Sequence, residues 1–206
     1  MLNIIVLGCG QSINLYARNE LVKLCRDSFT IACNGAALDF PSDIICATDP
    51  DWIKAHVDEL KRLRKPIITR KWVHLVDLGL DLVELPNDIT NAARLTGAVA
   101  AKIGDTLATI KGGKCYVFGL DHDTNGHYHH VETVCQPIPE MMSIGAYNAL
   151  NCRNTINMSP NSQIKCWKKQ DKLPVSLCVR SKENRKYDIM FIKTFKDQMF
   201  QCEVKS

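Results

Sequence analysis

Asn3-Ile4-Ile5-Val6-Leu7-Gly8-Cys9-Gly10-Gln11-Ser12 starts as an apolar run and breaks into a glycine-rich turn. After it, Leu15, Leu21, Val22 and Cys25 recur at helical spacing between Asn14 and Cys25. Strand, glycine turn and helix in that order are the first unit of an alternating α/β chain. The segments that follow repeat the theme. Phe29 to Cys33 is a second apolar run ending at Asn34-Gly35, and Ile44 to Ala47 a third ending at Thr48-Asp49-Pro50-Asp51. A helix is expected from Asp51 to Arg64, with Trp52, Ala55, His56 and Leu60 on one face and a cationic end, Lys61-Arg62-Leu63-Arg64-Lys65, that suits the negative end of the helix dipole. Pro66 stops it, and Ile67-Ile68-Thr69 is a fourth strand; Trp72 to Leu85 fits neither period cleanly.

The middle of the chain is clearer. Thr96 to Ile110 places Val99, Ile103, Leu107 and Ile110 among alanines, a helix able to pack closely on a sheet. Gly112-Gly113 ends it. Cys115 to Phe118 is a strand delivering Gly119-Leu120-Asp121-His122-Asp123, and the polar stretch to about residue 142 is expected to be a lid loop. Ser143 to Cys152 reads as a helix, and Thr155 to Met158 as a strand ending at Ser159-Pro160-Asn161-Ser162. In the tail, Leu173 to Val179 and Tyr187 to Phe195 look like strands flanking the polar segment Ser181 to Lys186, which predicts a hairpin. The expected fold is α/β: a Rossmann-like, mostly parallel sheet with helices on both faces over residues 1–165, a lid at about 121–142, and a basic C-terminal β-hairpin appendage over 166–206.

Composition bounds the function. The 206 residues are 46% hydrophobic and 23% charged, so a sizeable core can form. No apolar run reaches the ~18 residues of a membrane span. Met1 to Gly8 has no cationic region before its apolar stretch, as a secretory signal would, so a cytoplasmic protein is expected. Ten cysteines occur without a Cys-x-x-Cys pair, which leaves them reduced and used as small hydrophobes. The net charge of +4 is segregated. Residues 1–164 carry 15 Lys/Arg against 17 Asp/Glu, a balance of −2, whereas 165–206 carry 11 against 5, a balance of +6. Such a split points to a surface that meets phosphate, anionic lipid or an acidic partner, or simply to a solvated basic face.

In an open parallel sheet, ligands bind beyond the carboxyl ends of the strands. Short polar residues gather at those ends: Gly8, Gly10, Gln11 and Ser12; Asn34; Thr48 and Asp49; Thr96 and Gly97; Asp121 to Asp123; and Ser159 to Ser162. Together they favour a nucleotide-type ligand, with the amides of Gly10 to Ser12 and of the helix start at Thr96-Gly97 able to receive phosphate oxygens. The plainer reading of the same residues is turn-making and helix capping. Asp121 to His130 holds four of the six histidines. A histidine there can be a general base, Asp121 and Asp123 can hold Mn²⁺ or Mg²⁺ against a diphosphate, or the stretch is a solvated lid.

The series Ile4 to Ser12, Ala32-Cys33-Asn34, Ala47-Thr48-Asp49-Pro50, Leu95-Thr96-Gly97, Val117 to Asp121, the His/Tyr lid and Met158-Ser159-Pro160-Asn161-Ser162 resembles, in order and approximate spacing, the small bacterial sialyltransferase-like glycosyltransferases. The resemblance covers residues 1–165. It implies inverting transfer from a nucleotide sugar, with Gly8, Gly10, Gln11, Ser12, Asn34, Asp49, Thr96, Gly97, Asn161 and Ser162 around the donor. His127, His129 or His130 would be the base, with Tyr128 beside it and Asp121 in the catalytic set. That family has asparagine where Asp49 stands and tyrosine where Asp123 stands. The added carboxylates argue for a metal-assisted donor such as a uridine diphosphate sugar, because they repel phosphate unless a cation intervenes. No other cofactor is expected.

The tail residues Lys168, Lys169, Lys172, Arg180, Lys182, Arg185 and Lys186 would suit a polyanionic acceptor, and double-stranded DNA carrying a hydroxylated base is one that fits; a glycan is the other. Two further readings stay open: a metal-dependent phosphotransferase or phosphohydrolase built on Asp121, Asp123 and the histidines, and a non-catalytic nucleotide or nucleic-acid binding module.

Overall fold

The computed structural model describes residues 2–71, 73–85, 95–121, 145, 147, 150–174, 179–196 and 198–200. Eight strands form one sheet: β1 (Ile4–Leu7), β2 (Phe29–Cys33), β3 (Ile44–Cys46), β4 (Ile67–Arg70), β5 (Leu82–Leu85), β6 (Cys115–Phe118), β7 (Thr155–Asn157) and β8 (Lys168–Lys169). Their order is β5-β4-β3-β2-β1-β6-β7-β8, and every neighbouring pair is parallel. This is the Rossmann-like α/β architecture expected from the strand runs. β1 and β2 are buried at every residue, as befits strands covered on both faces, while the edge strand β5 alternates half-buried and buried positions.

Two apolar layers result. Ile5 and Leu7 face a cluster that takes in Leu21, Leu24 and Cys25 of α1 (Arg18–Asp27), Ala36 and Ala37 of α2 (Ala36–Asp39), Trp52 and Ile53 of α3 (Pro50–Ala55), and Leu60 of α4 (Val57–Leu63). Ile4 and Val6 face the opposite layer, filled by Val99, Ile103 and Leu107 of α5 (Thr96–Ile110) and by Ile192 of α6 (Lys182–Phe195). Trp167, Ile192 and Met199 belong to that same layer, so residues beyond 165 share the core of the body.

The sequence expectation is corrected in three places. The helix expected over 51–64 breaks at His56 (φ −116°, ψ 23°) into α3 and α4. Within the segment that fits neither period, a 3-10 turn at Val73–Leu78 precedes β5. The largest change is in the tail, where the second arm of the expected hairpin is the helix α6. Ser181 caps it by accepting a hydrogen bond from the Asn184 amide, and Asp188 and Ile192, one turn apart, form its buried stripe. The first arm falls partly outside the described residues, and Leu173, Pro174 and Val179 are not in a strand. The tail instead contributes the short parallel strand β8. Of the helix expected over Ser143 to Cys152, Gly145 and Tyr147 are described as helical. No described helix is long and apolar enough to cross a membrane.

Candidate functional site

After β1 the chain moves outward through β2 to β5, then returns to the other side of β1 and moves outward again through β6 to β8. The switch in direction lies between β1 and β6, where the loops beyond the carboxyl ends diverge. Here they are knitted together at their base. The Gly8 amide donates to Phe118 O (2.7 Å) and the Gly10 amide to Gly119 O (2.7 Å). A Cβ on Gly8 would stand 2.3 Å from Gly119 O, so this glycine is required by close backbone approach.

Above that seam sits a chain of neutral hydrogen bonds ending in one carboxylate. Asp121, 5% exposed, accepts from the Ser12 amide (2.7 Å) and from the Ser12 hydroxyl. Ser12 Oγ lies 2.6 Å from Ser159 Oγ, and the Ser159 amide donates to Asn157 Oδ1 (3.0 Å). Because the Ser12 proton is committed to Asp121, Ser159 is the donor to Ser12. Ser162 Oγ donates to Leu120 O (2.8 Å), and Lys169 Nζ donates to Pro160 O and Ser162 O (2.9 and 2.7 Å). Loops separated by more than a hundred residues thus form one rigid rim. Gly10 and Ser12 use their amides within it. Asn161 is exposed on the same loop, and Gln11 is half-buried beside Ser12.

The other side of the switch is less committed. Asn34, at the end of β2, is held in the left-handed region at φ 43° with its amide donating to Cys46 O (3.1 Å). Its side-chain oxygen Oδ1 is buried and has no hydrogen-bond partner among the described residues. Thr48 Oγ1 and Thr96 Oγ1 are 2.7 Å apart, tying the end of β3 to the start of α5. Leu95, the residue before α5, supplies no side-chain cap to the first-turn amides, which carry the positive end of a 15-residue helix. Gly97 is wedged against Leu120 and Tyr147 Oη, where a Cβ would come within 2.6 Å of each. Asp49 caps α3, accepting from the Asp51 and Trp52 amides (3.0 and 3.4 Å) with Pro50 in the first turn. Its capping role follows the plainer of the two readings.

Of the expected site residues, Gly8, Gly10, Gln11, Ser12, Asn34, Thr96, Gly97, Asp121, Asn161 and Ser162 all lie at the carboxyl ends of the strands. His127, Tyr128, His129, His130 and Asp123 lie outside the described residues. Among the described residues no group of three or more His, Cys, Asp or Glu side chains is assembled for a metal. Ser159, Asn157 and Thr48 were missed as site residues, although Thr48 and Ser159 stand in the polar strand ends that marked the site.

The basic tail does not make one patch. Lys168, Lys169 and Lys172 adjoin the carboxyl edge beyond β7, whereas Arg180, Lys182, Arg185 and Lys186 sit at the start of α6 near the amino ends of the strands. There Arg180 pairs with the fully buried Asp188 (2.7 Å), and Arg185 pairs with Asp43 (2.5 Å), just before β3. Lys168, Lys172, Lys182 and Lys186 are exposed. The buried thiols behave as hydrophobes: burial pushes Cys25 and Cys152 up to about 12 and raises Cys33, Cys46 and Cys115 as well, while Cys166 is exposed.

The fold defines a Rossmann-like α/β protein with its polar residues at the topological switch. Comparison with known proteins returns no match, whether against family models, curated sequences or solved structures.

Proposed function

We propose that the chain is a cytoplasmic glycosyltransferase that binds a nucleotide sugar at the carboxyl edge between β2, β1 and β6 and passes the sugar to an acceptor hydroxyl. The observation that carries this reading is Asn34 Oδ1, a buried carbonyl oxygen at the end of β2 without a donor among the described residues. A buried acceptor left unpaired costs roughly 1–3 kcal/mol, and a ligand amine or hydroxyl would relieve that cost. The uncapped first turn of α5 adds a place for phosphate oxygens. The base is assigned to His127, His129 or His130 from the resemblance, with Tyr128 beside it and a divalent cation at Asp123. Asp121 contributes by holding Ser12 and the rim in place.

The acceptor is a glycan or a hydroxylated DNA base, approached by the exposed Lys168 and Lys172. Incubation with uridine diphosphate and cytidine monophosphate sugars, with and without Mn²⁺, tests the reading. Sugar transfer or slow donor hydrolysis by one donor class is expected. Absence of both, with phosphate released from simple phosphoesters, would replace it with a phosphohydrolase. A gel shift on duplex DNA over a salt series tests the acceptor: retention that weakens with salt is expected for DNA, and absent or salt-insensitive binding leaves the glycan.

A further inference from the structure

On the α5 side of the sheet, two side chains carry N–H groups that find no acceptor among the described residues. Asn157 is 0% exposed and Trp167 is 4% exposed, and Asn157 Nδ2 and Trp167 Nε1 are both buried without a described partner. Their placement follows from register. Thr155 Oγ1 donates to Asp105 Oδ1 of α5 (2.8 Å), which fixes the face on which Thr155 lies, and Asn157, two residues on along β7, points the same way. Ile156 pairs with Lys168, so Trp167 stands beside Thr155 on the neighbouring strand, and it belongs to the same apolar layer as α5. Tyr147 packs edge-on against the indole at 5.3 Å and walls one side. The orientation of the Asn157 amide is set by the Ser159 amide, which donates to Oδ1 and leaves Nδ2 as the free end.

An unpaired buried donor costs about as much as a lost hydrogen bond, and two on one face of adjacent strands double the cost unless something shared accepts from both. One oxygen atom has two lone pairs. The charge of that oxygen is constrained by the chain running from Asn157 through Ser159 and Ser12 to Asp121, a carboxylate without a cationic partner among the described residues. A second negative charge nearby would be repelled. We infer that Asn157 Nδ2 and Trp167 Nε1 form a buried two-donor site for one uncharged oxygen acceptor that none of the described residues supplies. The site stands whether or not the chain transfers sugars. The oxygen comes from an ordered water or from the carbonyl of a neutral ligand.

The indole ¹H–¹⁵N signal of Trp167 reports on the site directly. The chain has three tryptophans, and Trp167→Phe identifies the signal by its loss. If water fills the site, the indole proton is hydrogen-bonded in the free protein, slow to exchange, and shows cross-relaxation to a long-lived water. If a carbonyl fills it, uridine or N-acetylglucosamine shifts the signal and slows its exchange, with no response from the other indoles. Asn157→Asp keeps an acceptor for the Ser159 amide while withdrawing the Nδ2 donor, and is expected to abolish either response. Should that variant fail to fold, the full protein still decides. An indole signal with unbonded shift and no water contact, unchanged by both probes, would overturn the inference, as would a crystal structure showing either N–H bonded to a protein acceptor.

Discussion

The two edges of the sheet solve the same problem with different chemistry. At the amino edge the chain fastens its tail with ion pairs. Asp188 receives Arg180 and Lys111, Asp43 receives Arg185 together with the Thr30 amide, and Asp81 receives Lys193. At the carboxyl edge it uses hydroxyls, amides and the Lys169 ammonium on backbone carbonyls, with Asp121 as the carboxylate of that network and with Asn34 Oδ1 unpaired among the described residues. The amino edge is where α6 is fastened to the body. Part of the segregated charge therefore has an internal purpose, since acids of the −2 body hold bases of the +6 tail. The carboxyl edge is cross-linked by hydrogen bonds on its β1/β6/β7 side and keeps an unpaired acceptor, Asn34 Oδ1, among the described residues on its β2/α5 side.

The sharpest way to break this contrast is to remove a matched charge. Arg180→Ala leaves the fully buried Asp188 with only Lys111 at 3.6 Å, and is expected to lower stability by about 3–5 kcal/mol in denaturant titrations while the nucleotide response of the surviving folded protein is retained. Gly8→Ala strikes the other edge. Its Cβ meets backbone at Gly119, so a loss of roughly 1–3 kcal/mol is expected, this time with weakened nucleotide binding because the rim shifts.

Alkaline pH sharpens the picture without mutation. Cys25 and Cys152, pushed up to about 12 by burial from the ordinary 9.0, stay protonated in the fold after the unfolded chain has lost their protons. Their contribution is complete below pH 9 and declines as pH rises towards 12, so the denaturation midpoint should fall steadily over that window. Lys193→Ala is the mildest change. Both partners of its pair with Asp81 are partly exposed, and a loss below about 1 kcal/mol that shrinks further in salt is expected in the same titration.

Much of the fold is legible because buried parallel strands announce themselves. Ile4 to Leu7, Phe29 to Cys33 and Cys115 to Phe118 are apolar runs closed by glycine or asparagine, and each is a strand. The tail misled for a physical reason. α6 fully buries only Asp188 and Ile192 among its described residues, half-buries Ile189 and Phe191 against the core, and leaves Tyr187 and Met190 exposed at 67% and 62%, so only some of its apolar residues mark the face that packs. A buried charge, Asp188, as one of the two residues of the stripe conceals the helical period. At the candidate site, the positions of Ser12, Asn34, Thr96 and Asp121 could be read from the strand ends, but their partners could not. Ser12 and Asp121 are 109 residues apart, and nothing local in either segment announces the bond. Asp49 shows the converse, a polar residue at a strand end whose local sequence, Asp-Pro-Asp, already describes a helix cap.

The central claim is that a nucleotide sugar binds where Asn34 Oδ1 lies unpaired. The direct measurement is the melting temperature of the wild-type chain and of Asn34→Ala with uridine and cytidine nucleotides and their sugars, with and without Mn²⁺. The account predicts that one nucleotide class raises the wild-type melting temperature in proportion to the logarithm of its concentration, and that Asn34→Ala weakens this response about tenfold in concentration, the loss of one hydrogen bond of roughly 1.4 kcal/mol. An equal response in both proteins, or none in either, would contradict it.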